Sequence, residues 1–94
     1  MALSENMIDA IVMLFKAENP NSPDTTIEAQ DLSKFLKKEF DYQNPHRVIR
    51  DAIREGFLYV DDITDKMEFM LGLTEWGEEV WGLWQFSEEE EDDE

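Results

Sequence analysis

Between Met7 and Phe15 only Asp9 is polar; Met7, Ile8, Ala10, Ile11, Val12, Met13, Leu14 and Phe15 fill the other positions. At about 100° per residue these side chains cover most of a helix's circumference, so a helix here needs apolar neighbours on at least two sides. In a chain of 94 residues that demand sets the plan: one core with this helix inside it, and no second folded domain. Ser4 is placed to cap the helix at its start. Ala17 to Thr26 ends it, because two prolines, two asparagines, Ser and Asp gather there.

The remaining elements follow from local signals. Thr25-Thr26-Ile27-Glu28 reads both as a brief extended piece and as a T-x-x-E capping box, feeding a second helix that runs to about Phe40. In that helix Ala29, Leu32, Phe35, Leu36 and Phe40 fall mostly three and four apart. Asp41 to Asn44 is a short turn, Asn44 can cap, and Pro45 suits the first position of a third helix reaching about Glu55. Gly56 is placed to stop it. Phe57 to Val60 and Met67 to Leu73 are β-prone runs around the polar stretch Asp61 to Lys66, which predicts a hairpin. Thr74 can cap a last helix from Glu75 to about Phe86. Residues 1–87 are therefore expected to form one domain, and Glu88 to Glu94, all acidic, a tail disordered by self-repulsion.

Composition removes several classes of function. With no cysteine and a single histidine, disulfide frameworks, thiol catalysis and cysteine-ligated metal sites are excluded, and no cofactor is expected. No apolar run reaches the roughly 18 to 20 residues of a membrane helix, and Met1 to Glu5 lacks the basic start of a secretory signal. A cytoplasmic location is expected, or the host cytoplasm for a phage-derived chain. Acidic residues number 24 against 8 basic ones, a net charge of −16, which repels nucleic acid and anionic membranes. Halophilic adaptation fits less well, because five Lys, five Met, six Ile and six Phe are present. The phosphate-binding, dinucleotide-binding, zinc-protease and calcium-loop spacings are all missing, and His46 lies in the first turn of a helix, so an enzyme is not expected.

The order helix, short extended piece, helix, turn, helix, hairpin, helix resembles the winged helix-turn-helix superfamily. Ile27 to Leu36 is similar to the first helix of the turn motif, and Pro45-His46-Arg47-Val48-Ile49-Arg50-Asp51-Ala52-Ile53-Arg54-Glu55-Gly56-Phe57-Leu58 to a recognition helix running into the first wing strand. Leu73-Thr74-Glu75-Trp76-Gly77 is similar to the L-T-x-x-G ending common after the wing. The resemblance spans about residues 5 to 86. It implies an α+β fold of three helices, a two-stranded wing and a C-terminal helix, with DNA contacts made by the third helix and the wing.

The chain's own charges both suggest and oppose that use. From Asp31 to Arg54 there are six basic residues, Lys34, Lys37, Lys38, Arg47, Arg50 and Arg54, against four acidic ones, and Arg47, Arg50 and Arg54 lie within roughly 60° on one helix face. They are the candidate contacts for nucleic acid or a protein partner. A solvated helix face, with Asp51 compensating Arg47 and Arg54, explains them equally well. The wing carries Asp61, Asp62 and Asp65 against Lys66, and a carboxylate beside a phosphate opposes the counterion release that drives DNA binding. Asp61, Asp62, Asp65, Glu78 and Glu79 form a candidate acidic recognition surface.

Trp76, Trp81 and Trp84 are the candidate interface, alone or with the first helix, and a homodimer is the expected assembly. Taken together, these features predict a non-enzymatic acidic module that acts through protein contact. Its partner would be basic or nucleic-acid-binding, and DNA mimicry is one version. The alternative is a DNA-binding transcriptional regulator that uses the third helix.

Overall fold

The computed structural model describes residues 3–63 and 68–83. Ser4 caps α1 (Glu5–Glu18), its side-chain oxygen accepting from the Met7 amide at 3.3 Å. Ala10, Ile11, Val12 and Phe15 are fully buried, Met7, Ile8 and Leu14 pack against the core, and Met13 alone of the eight apolar residues is exposed. The apolar run is satisfied within one chain because α1 touches α2 (Ala29–Phe40), α4 (Glu75–Leu83) and the short strand β1 (Thr26–Glu28). This removes most of the apolar surface on which an α1-mediated homodimer was expected.

The T-x-x-E capping box does not form. Thr26, Ile27 and Glu28 pair with Gly72, Leu71 and Met70, so their backbone groups serve a sheet, and Glu28 precedes α2 without a side-chain cap. Leu32, Ser33 and Leu36 are the buried face of α2. Asp41 ends it in the left-handed conformation at φ 57°, which a short polar side chain tolerates. Asn44 then caps α3 (Pro45–Glu55) through the Arg47 amide, Pro45 takes the first turn, and Gly56 at φ 87° terminates the helix. Val48, Ile49 and Ala52 form its buried side.

The hairpin consists of β2 (Leu58–Ile63) and β3 (Phe69–Leu73), and the sheet is antiparallel in the order β1-β3-β2. The expected loop at Asp61 to Lys66 begins later than its polarity suggests. Asp62 pairs with Met70 and Ile63 with Phe69, while Asp61 is the extra residue of a bulge. Continuing the ladder to Ile63↔Phe69 gains an apolar cross-strand pair, which outweighs two adjacent aspartates in a strand open to water. Asp65 and Lys66 lie outside the described residues.

Thr74 joins the end of the hairpin to α4. Its amide donates to the Phe57 carbonyl, and its hydroxyl accepts from the Gly77 amide while lying in donor range of the Gly56 and Phe57 carbonyls. Trp76 meets the Phe57 ring edge-on, with centroids 5.0 Å apart. A Cβ at Gly77 would lie 2.8 Å from the Phe57 carbonyl oxygen. This is the physical reason for glycine at the close of Leu73-Thr74-Glu75-Trp76-Gly77. The result is an α+β fold of four helices and one three-stranded antiparallel sheet among the described residues.

Candidate partner-binding surface of α3 and the hairpin

Cross-strand partners share a face of the sheet. Leu71 and Leu73 are buried, so their partners Val60 and Leu58 lie on the same, core-directed side. Phe69, two residues before Leu71, belongs to that side as well, and so does Ile63 opposite it. The core ends before the hairpin does. Val60, Ile63 and Phe69 are accordingly 43%, 49% and 46% exposed, an apolar continuation of the core that no described residue covers.

Beside this strip runs α3. Ile49 and Ile53, with Ala29 of α2 and Phe69 of β3, line a groove of about 310 Å³, and His46, Arg50 and Arg54 stand around it. A second recess of about 370 Å³ continues from Ala29, His46 and Phe69 to Gln30 and Glu68. Arg50 and Arg54 are exposed and make no ion pair with a described residue. Asp51, half-buried, likewise makes no ion pair with a described residue, so the local compensation expected from it is not made as a contact.

The structure divides the basic cluster that the sequence gathers. Arg50 and Arg54 face the hairpin groove. Arg47 lines a separate recess of about 350 Å³ with Met7, Tyr42, Asn44, Val48 and Asp51. Lys34, Lys37 and Lys38 are exposed on α2. The acidic set is also dispersed: Asp61 and Asp62 are exposed on β2, Glu78 and Glu79 on α4, and Asp65 lies outside the described residues. The Asp62 carboxylate accepts from the Ile63 amide at 2.8 Å, which helps hold the strand beyond the bulge.

Trp76 and Trp81 are half-buried in the chain's own core. The Lys16 ammonium sits 4.0 Å from the Trp81 ring centroid, a cation–π contact that closes the α1–α4 seam. The Trp81 indole nitrogen is buried without an acceptor among the described residues. Trp84 lies outside them, and Leu83, 82% exposed, is the largest apolar projection at the end of α4. Two of the three candidate interface tryptophans thus serve internal packing.

Ile49, Ile53, Phe69, Ile63 and Val60 were not singled out as site residues by sequence reasoning. A signal existed: Phe57-Leu58-Tyr59-Val60 is four apolar residues in a row, whereas a hairpin covered on one face buries only alternate positions. No group of three or more His, Asp or Glu side chains is placed to hold a metal among the described residues, and His46 is exposed on the groove's edge. The arrangement offers binding chemistry: an apolar floor and two guanidinium groups, suited to a segment carrying both apolar side chains and carboxylates. No helix among the described residues is long and apolar enough to cross a membrane. No family model, curated protein or solved structure shows detectable similarity to the chain.

Proposed function

We propose that this chain is a non-enzymatic winged-helix module that works by binding protein, with α3 and the hairpin as its contact surface. Support for the winged-helix reading comes from the element order, with α2 packed on α3, α3 leading through Gly56 into the hairpin, and a short third strand pairing with the hairpin's second. The observation that carries the functional reading is the apolar groove between α3 and the hairpin, floored by Ile49, Ile53 and Phe69. A surface that reads DNA through the same elements needs positive charge on the wing to meet phosphates. Here the described wing offers Val60, Ile63, Phe69, Asp61 and Asp62.

One observation favours the DNA-binding alternative: Arg50 and Arg54 are exposed and unpaired on α3 among the described residues. The two readings separate by titration with random-sequence duplex DNA near physiological salt. Protein binding predicts no saturable complex for the parent chain, and a complex emerging only when Asp61→Lys and Asp62→Lys remove the wing's carboxylates. A parent complex that weakens steeply with salt and is lost with Arg50→Ala would establish DNA binding instead. The positive arm places a photo-crosslinking residue at Phe69 or at Lys37 in the native host. Protein adducts are expected from the first position and few from the second.

A further inference from the structure

His46, Ile49, Arg50, Ile53 and Arg54 recur three and four apart along α3, so one face of the helix lines the groove with isoleucines and arginines side by side. Arg50 and Arg54 stand one turn and about 6 Å of helix rise apart, and neither makes an ion pair with a described residue. Two guanidinium groups at that spacing beside an apolar floor match carboxylates at the same spacing. The second recess is lined by Gln30 and Glu68 instead, so an occupant's carboxylates belong on the α3 side.

The groove also selects the occupant's backbone. The α3 amides from Ile49 onward bond within the helix, and the Ala52 and Ile53 carbonyls accept from the Phe57 and Gly56 amides. On the other wall the Phe69 main chain lies in the plane of the sheet, opposite Ile63. An extended segment laid on this floor would bury amides and carbonyls against side chains that cannot bond them. The open edge of β2 could bond a strand, but the bulge at Asp61 interrupts it. A helix brings its backbone bonds with it. We propose that the groove takes an acidic amphipathic helix of a protein partner, whose apolar side chains, three and four residues apart, enter between Ile49, Ile53 and Phe69 while carboxylates one turn apart meet Arg50 and Arg54. Val60 and Ile63 carry the apolar surface on beyond Phe69. The chain's charge of −16 slows the approach of such a partner without setting the contact. Asp62, opposite Met70, projects on the other face of the sheet from Phe69 and Leu71, and exposed charges more than about 8 Å away are largely screened at physiological salt.

This inference rests on the groove being a protein-docking surface, and the two fail separately: crosslinking at Phe69 in the host judges that reading, whereas the test here needs only the full chain and synthetic peptides. Three capped peptides of about sixteen residues, long enough to populate a helix, share leucines three and four apart. The first carries glutamates beside them at a spacing of four, the second lysines in place of the glutamates, and the third the glutamates with a central proline that breaks the helix. Amide resonances of the full chain are followed in about 150 mM salt up to about 1 mM peptide. The first peptide should shift Ile49, Ile53 and Phe69 saturably, and the other two should bind at least about tenfold more weakly. Arg50→Gln with Arg54→Gln should weaken the first peptide about tenfold. Both arginines are exposed, so the fold should survive, and unchanged Phe57 and Leu71 resonances verify that. Arg54→Gln alone serves if it does not. The proposal is overturned if the first peptide fails to bind, if it binds equally well without the arginines, or if the lysine or proline peptide binds as tightly. Concentration-dependent shifts of the same residues without peptide would assign the groove to a second copy, and saturable binding of duplex DNA there would assign it to nucleic acid. Either result overturns it too.

Discussion

Gly77→Ala tests how α4 is seated. The new Cβ would lie 2.8 Å from the Phe57 carbonyl oxygen, 2.9 Å from Leu73 Cδ2 and 3.1 Å from Leu73 Cβ. Carbon–oxygen contacts settle near 3.3 to 3.6 Å, so α4 must withdraw by about 0.5 Å or more. The obstructing atom is backbone, and the same carbonyl accepts the Thr74 amide at 3.1 Å, so withdrawal strains that bond and the Trp76–Phe57 packing together. Overpacking of this kind costs about 1 to 3 kcal/mol. Against it, alanine is favoured over glycine in a helix by about 1 kcal/mol. The net expectation is a loss of up to about 2 kcal/mol, or up to about 15 °C in melting temperature for a domain of this size. Gly82→Ala is the internal control, since a Cβ there meets nothing within 4 Å and only the propensity gain of up to about 1 kcal/mol should remain. Thermal unfolding followed by far-UV circular dichroism measures both. If Gly77→Ala melted above the parent, gaining as much as Gly82→Ala, the tight seat of α4 on the Phe57 carbonyl would be wrong.

Other outcomes follow from the same geometry. Gly72→Ala should cost less than about 1 kcal/mol, because the atoms it meets are the outer end of the half-exposed Tyr59 ring, which can swing away. Gly56→Ala should cost about 1 to 2 kcal/mol although nothing lies within 4 Å, because the residue sits at φ 87°. Denaturant unfolding separates these two mechanisms. Arg50→Ala should change stability by less than about 0.5 kcal/mol, since the side chain is exposed and unpaired among the described residues. A larger loss in the same assay would mean that it supports the fold. Raising sodium chloride from about 10 to about 500 mM should raise the melting temperature, because a chain at −16 is destabilised by self-repulsion that salt screens.

Where spacing within a segment decided the outcome, the sequence was readable. The cap at Ser4, the proline start and glycine stop of α3, and the Thr74 cap of α4 all lie where local rules place them. Misreadings occurred where a distant strand competed with a local signal. The Thr25 to Glu28 box was a sound local option, but Ile27, 4% exposed, gains more by pairing with Leu71 than the box would gain by satisfying two amides. Asp61 and Asp62 look like loop residues until the ladder to Phe69 is known. The candidate surface divides in the same way. The arginines on one face of α3 follow from helical period, whereas the apolar floor depends on which side of the sheet Phe69 takes, and that is fixed by register across the hairpin. Aromatic richness alone does not distinguish an interface from the seam between two helices of one small core, and Trp76 and Trp81 take part in that internal packing.

In the order β1-β3-β2, one side of β2 has no strand beside it among the described residues, and Val60 and Ile63 of this edge strand are exposed apolar side chains. An open strand with Val60 and Ile63 along it would ordinarily invite a second copy to add by main-chain pairing, and then a third, toward insoluble fibres. The bulge between Val60 and Asp62 works against this. It leaves Leu58 to Val60 as the only unbroken stretch, too short to hold a strand from another molecule, and increases the local twist just where addition would have to continue. Any copy that tried would also bring its own Asp61 and Asp62 close to the resident pair. The hairpin's exposed apolar side thus stands next to an edge whose geometry and charge disfavour strand addition.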